Sequence, residues 1–147
     1  MTAPVIPNTT GQLGPGTLKI GATGTEIDIS CLVNNASIDP SKSATDPTTK
    51  LCGAVRAGTV TYTYQLTGNI DVDAGTDAGI FALSWAEKGS VQEFLFTPST
   101  ALGTSAAGQL VIDPLRFGAG AYGEDLTADI AFDLVGEPTF TYPAPPP

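Results

Sequence analysis

From Thr59 to Asp73 the odd positions read Thr, Thr, Thr, Gln, Thr, Asn, Asp and Asp, and the even ones Val, Tyr, Tyr, Leu, Gly, Ile and Val. Side chains of a strand alternate between two faces, so this run predicts a strand with one polar and one apolar face. At roughly 3.3 Å per residue it would reach about 50 Å, whereas ordinary strands end after about 5–6 residues. Val60, Tyr62, Tyr64, Leu66, Ile70 and Val72 are expected to face the core. Thr61, Thr63, Gln65 and Thr67 are expected to face water.

The same periodicity places the other elements. "TLKIG" and "EIDISCLV" predict two short strands joined around "ATGT". Cys31 alternates in phase with Ile27, Ile29 and Val33, which suits a buried small hydrophobe; a Cys31–Cys52 bridge is the other reading. Asn34 to Gly58 is rich in Pro, Ser, Thr and Asp and reads as a long inter-strand loop. Connections usually run about 4–6 residues, so this one is either a floppy excursion or a loop ordered by a partner. Leu51, Cys52 and Val55 favour the partner.

One helix is convincing, in "TDAGIFALSWAEKG", with Thr76 as N-cap and Asp77 in the first turn. Ala78, Phe81, Ala82 and Trp85 form an apolar stripe, with Trp85 expected as core filler; Lys88 and Gly89 form the stop. "SVQEFLFTP", "GQLVIDPLRF" and "DLTADIAFDLVG" predict three more strands, the first covered on both sides. Pro114 implies an edge, a bulge or a break. Residues 1–16 read as an extended arm, and 141–147 as a Pro-rich tail of polyproline character. The expected fold is mainly β: a single domain over 1–147, an antiparallel β-sandwich or partial barrel with one flanking α-helix.

Composition narrows the function classes. With 41% hydrophobic residues the chain can build a core, and 17 glycines and 12 prolines suit a β domain with long loops. The formal charge of −9 opposes tight binding to nucleic acid, itself a polyanion gripped through Lys and Arg. The N-terminus has neither a basic nor an apolar export region, and no stretch approaches about 18 apolar residues. Synthesis in a reducing cytoplasm is therefore expected, which makes the Asn8-Thr9-Thr10 sequon noise.

There is no His, so the common zinc sites and His-assisted nucleophiles have no base or ligand to use. "GAGAYG" (Gly118, Gly120, Gly123) matches a dinucleotide fingerprint, but a strand-like, acid-led segment follows it where a helix is required. Asp71 with Asp73, and Asp129 with Asp133, share strand faces and read as solvated pairs rather than catalytic or calcium-binding ones. No catalytic, cofactor-binding or metal residue is assigned, and the protein is expected not to be an enzyme. A half-polar long strand, two arms and a large loop suit an assembly subunit whose strand edges pair with copies of itself.

The run from Ile80 to Phe140 resembles the C-terminal half of phage tail tube proteins, the major tail proteins of long non-contractile tails. The shared features are an aromatic near the helix end (Trp85), a strand closing on Pro98, "GQLVIDPL" (Gly108 to Leu115), and Gly136-Glu137-Pro138-Thr139 after an alternating strand. The Pro-rich tail departs from that pattern. The resemblance implies hexameric rings whose inner sheets join into a β-barrel and stack into a conduit for DNA. It implies lumen-facing Thr61, Thr63, Gln65, Thr67, Asp129 and Asp133. It also implies inter-ring contacts from 34–58, with Asn34, Asp39, Lys42, Asp46, Lys50, Leu51, Val55 and Arg56 as candidates. The implied partners are further copies together with tape measure, tail terminator and tail tip proteins. DNA would pass without specific binding, and no membrane is involved. The implied location is the virion tail, assembled in a bacterial host cytoplasm. A virion decoration protein or a carbohydrate-binding β-sandwich module is the alternative, although the latter would expose aromatic platforms.

Overall fold

Four alternating strands send their apolar sides into one core. Leu18 and Ile20 come from β1 (Thr17–Ile20), and Leu66 and Ile70 from β6 (Val60–Asp71). Phe94 and Phe96 come from β7 (Val91–Thr97), and Ala128, Ile130 and Phe132 from β9 (Thr127–Asp133). Leu110, on β8 (Ser105–Val111), joins them with Ile29, Ile80, Ile112 and Leu115. Each large apolar side chain buried in this way contributes roughly 1.5–3 kcal/mol. The computed structural model describes residues 12–22, 24–118 and 121–143.

Two antiparallel sheets enclose this core. One has five strands in the order β10-β8-β7-β1-β2, where β2 is Ile27–Asp28 and β10 is Thr139–Thr141. The other has three in the order β3-β6-β9, where β3 is Val33–Ala44. They meet at a bridge between Leu110 and Leu134, where the Val135 N–H also donates to the Gln109 carbonyl at 2.8 Å. The result is a sandwich sealed along one seam, mainly β with one flanking helix, as the periodicity predicts.

The region expected as a long loop is mostly ordered ladder. β3 pairs with β6 from Val33↔Ile70 to Ala44↔Val60, with a bulge between Val33 and Asn35. A short hairpin of β4 (Thr48–Thr49) and β5 (Val55–Arg56) lies beyond it. Pro40 sits inside β3 because β3 is an edge strand, so its missing N–H costs no ladder bond on the open side. β9 pairs only with Gln65 to Asp71, so the outer halves of β3 and β6 run on past it as a two-stranded arm. Val60 and Tyr62 are consequently 50% and 56% exposed, against their expected place in the core. Leu66 and Ile70 are fully buried, as expected.

The helix is shorter than its stripe suggests: α1 spans Ile80–Ala86. Thr76 does not cap it. The Asp73 carboxylate, at the end of the long strand, accepts the N–H groups of Ile80 and Phe81, each at 3.2 Å. Thr76 instead closes a local turn by accepting the Ala78 N–H. Gly89 supplies the expected stop at φ 82°, the left-handed region open to glycine. Trp85 is not core filler: half its surface is exposed, and its indole N–H donates to the Leu115 carbonyl at 2.8 Å.

Three further expectations change. β2 ends at Asp28, so Cys31 falls in a turn, out of phase and exposed; Cys31 and Cys52 are both free thiols. β7 is bare on one side, with Val91 and Leu95 exposed. β8 lies earlier than "GQLVIDPLRF" and stops before Pro114, which makes the break expected there. Residues 1–11, Gly120 and most of the tail lie outside the described residues.

Candidate functional site

Six of the expected residues share one sheet face. On β6 the odd positions Thr61, Thr63, Gln65 and Thr67 point away from the core that Leu66 and Ile70 enter. On β9 the same holds for Asp129 and Asp133, opposite the buried Ala128, Ile130 and Phe132. Register aligns them in rows: Asp133 beside Gln65 beside Asp39, and Asp129 beside Asn69 beside Asn35. Thr67 lies between Ala131 and Ser37, and Thr63 and Thr61 pair with Ser41 and Ser43.

The rows are cross-linked by side chains. The Gln65 amide donates to Asp133 at 3.1 Å, and the Asn69 amide to Asp129 at 2.9 Å. The Thr67 hydroxyl donates to Asp39 at 2.7 Å and lies 3.1 Å from the Ser37 hydroxyl. The Asn34 amide donates to Asn69 at 2.9 Å and to Asp71 at 3.2 Å. Cross-strand polar pairs of this kind contribute about 0.2–1 kcal/mol each and hold carboxylates in place without a cation.

No Lys or Arg stands on this face of β3, β6 or β9. The Arg116 guanidinium reaches only its margin, bonding the Thr127 carbonyl at 2.9 Å. The face is thus a neutral-to-acidic polar surface over three strands, and among the described residues β3 and β9 are its edge strands, β9 being bridged to β8 just past its end at Leu134.

The candidate contact residues separate into two groups. Asn34 and Asp39 belong to the polar face through the bonds above, not to a loop. Lys42, Asp46, Lys50, Leu51, Val55 and Arg56 lie on the arm and its tip, where all are exposed. Residues 40–60 hold three cations and one acid, a net +2, so the rest of the chain carries −11 of the total −9. The Thr45 and Thr59 hydroxyls, 3.1 Å apart, fasten the arm at its outer end.

Asn69, on the polar side by alternation, also joins this face; Ser37, Ser41 and Ser43 complete it but are not among the residues singled out from the sequence. Their signal is the alternation of small polar residues at 37, 39, 41 and 43, matching the odd positions of β6. Residues 119–120 of "GAGAYG" lie outside the described residues; its last three, Ala121 to Gly123, precede β9 and no helix follows them. Among the described residues no helix is long and apolar enough to cross a membrane, and no group of His, Cys, Asp or Glu is arranged for a metal ion.

No protein-family model and no curated protein matches this sequence. Solved structures do match the fold. One is a chain from the tail of an empty gene transfer agent particle computed with C6 symmetry. Its TM-score is 0.62 at 19% identity, covering 89% of this chain and 99% of that one. Another is a chain from the virion of a native gene transfer agent particle, with a TM-score of 0.57 at 21% identity, covering 84% and 95%. The protein therefore has a mainly β, antiparallel sandwich fold that is shared with chains of gene transfer agent tail and virion particles.

Proposed function

We propose that this protein is a structural subunit of a virion tail, one that assembles into stacked six-fold rings forming a tube for DNA. The observation that carries this reading is the polar face of β3, β6 and β9, on which those strands place no Lys or Arg and which Arg116 reaches at its margin, at Thr127. DNA presents one charge per roughly 1.7 Å of axis and is held by cations that displace its counterions. A channel lined by Thr, Ser, Gln, Asn and Asp would let it slide without adhering. Thr61, Thr63, Gln65, Thr67, Asp129 and Asp133 are proposed to supply that lining.

Two further features support assembly. Among the described residues β3 and the Thr127–Asp133 span of β9 are edge strands of the three-stranded sheet, and pairing β9 of one copy with β3 of the next would extend the sheet around a ring. The basic arm projects from an acidic body, so an arm reaching the next ring meets complementary charge. Tape measure, terminator and tip proteins are the proposed further partners, and host cytoplasm the proposed site of assembly. No catalytic role is proposed.

Negative-stain microscopy of the concentrated protein tests assembly: rings or tubes are expected, and a monomer at every concentration would count against it. The lining is tested separately by Gln65→Lys or Thr63→Lys in intact virions. Slower genome ejection is expected; unchanged ejection would remove those positions from the channel.

A further inference from the structure

A second surface is left uncovered by the described residues. Phe81 of α1 stands between Trp85 and Phe117, with ring centroids 6.5 Å and 5.5 Å away and both pairs tilted. Phe117 is 70% exposed and Trp85 47%. The platform is held from beneath: the Trp85 N–H is bound to the Leu115 carbonyl, and the Leu115 N–H donates to the buried Ser84 hydroxyl at 3.2 Å. With its one polar group engaged, this cluster offers ring faces only. Contiguous exposed aromatics on a fixed support mark a place where something docks.

We propose that this platform receives the proline-rich segment Pro143–Pro147 of a neighbouring copy. Proline rings stack on aromatic faces, carry no N–H to leave unpaired, and lose little entropy because the extended polyproline form is preset. Four of the five residues in that segment are prolines.

The donor and acceptor lie at opposite ends of the sandwich. β10 pairs Thr141 with Ser105, and Pro143 lies against Gly103, so the segment leaves at the start of β8. The platform sits past the other end of β8, where the Gly89 N–H meets the Ile112 carbonyl and Trp85 meets Leu115. Ser105 to Val111 alone spans about 20 Å. Pro143–Pro147 spans about 12 Å as polyproline, so a chain does not reach its own platform with these residues. A contact with unlike surfaces at opposite ends of the subunit is head-to-tail and propagates from copy to copy. This inference rests on the reading of the chain as a self-assembling subunit and adds a contact made by neither the arm nor the strand edges.

Trp85 is the only tryptophan, so its emission reports on the platform alone. A synthetic peptide of residues 142–147 titrated into the dilute full chain should give a saturable blue shift and protection from acrylamide quenching. Phe117→Ala should weaken that response about fivefold or more, and a peptide with alanine in place of proline should give none. In concentrated protein, replacing Pro143, Pro145, Pro146 and Pro147 with Ala should abolish the Trp85 protection that the parent chain gains. No spectral change at millimolar peptide would overturn the proposal. So would a response to a peptide of residues 1–11 alone, or equal protection in the Ala variant. The titration needs no assembly, so absence of tubes in micrographs would count against the proposed function and leave this reading to its own result.

Discussion

Replacing Gly68 with alanine asks whether β3 is zipped onto β6 along its length. Gly68 is paired with Ala36, and a β-carbon there would lie 2.2 Å from the Asn35 carbonyl oxygen and 2.9 Å from the Ala36 α-carbon. Both are backbone atoms, with no flexible side chain to swing aside. Close C···O contacts stop at about 3.3 Å, so the carbonyl must retreat by about 1 Å. That retreat pulls β3 from β6 beside the bulge at Val33 and Asn35 and stretches the neighbouring ladder bonds. Overpacking costs about 1–3 kcal/mol and each weakened hydrogen bond about 1 kcal/mol, so a loss of about 2–4 kcal/mol is expected. In urea, with a slope of about 2 kcal/mol/M, the unfolding midpoint followed by circular dichroism should fall by about 1–2 M. Gly75→Ala is the control: a β-carbon there meets nothing within 4 Å, and the midpoint should hold or rise slightly. A Gly68→Ala midpoint within about 0.2 M of the parent would refute the pairing and return residues 34–58 to a loop.

Other outcomes follow from single contacts. Asp73→Ala removes the acceptor of the Ile80 and Phe81 N–H groups and should cost about 1 kcal/mol in thermal unfolding, whereas Thr76→Ala should cost clearly less. Asp28 accepts the hydroxyl and the N–H of Ser30 and faces Lys19, which together hold its carboxyl below the ordinary value of 3.8. A depressed carboxylate adds stability above its unfolded pKa and loses it as pH falls through the folded one. The difference in Tm between parent and Asp28→Asn should therefore be small and constant near neutrality, because the group is exposed, and should close in acid below 3.8. A gap that widens on acidification would reverse the assignment.

The two-faced strand was legible because its inner half meets a core: Leu66 and Ile70 carry a period that burial enforces. The same period misleads at Val60 and Tyr62, where the strand continues as an arm that no other described residue covers. β3 was hidden for a related reason. Beyond Ile38 it borders no core, so Pro40, Lys42 and Ala44 occupy the side that would otherwise read as apolar. Its partner was recoverable from a different consideration, since a strand as long as β6 needs a neighbour to satisfy its backbone groups. The helix cap escaped because the capping carboxylate, Asp73, comes from seven residues before Ile80 and not from the flanking turn. Cys31 and Trp85 failed as core residues because a turn after Asp28 and the tether to Leu115 place them at the surface. Of the proposed lining, the phase came from alternation alone. The Asp129–Asn69 and Asp133–Gln65 pairings needed the register.

Electron cryomicroscopy of tubes grown from the concentrated protein tests the central claim most directly. The expected density has six subunits per ring, with the polar face of β3, β6 and β9 turned to the channel and Gln65, Thr67 and Asp133 at its wall. Failure to assemble at any concentration would contradict the account, as would a tube whose channel is lined by the five-stranded sheet.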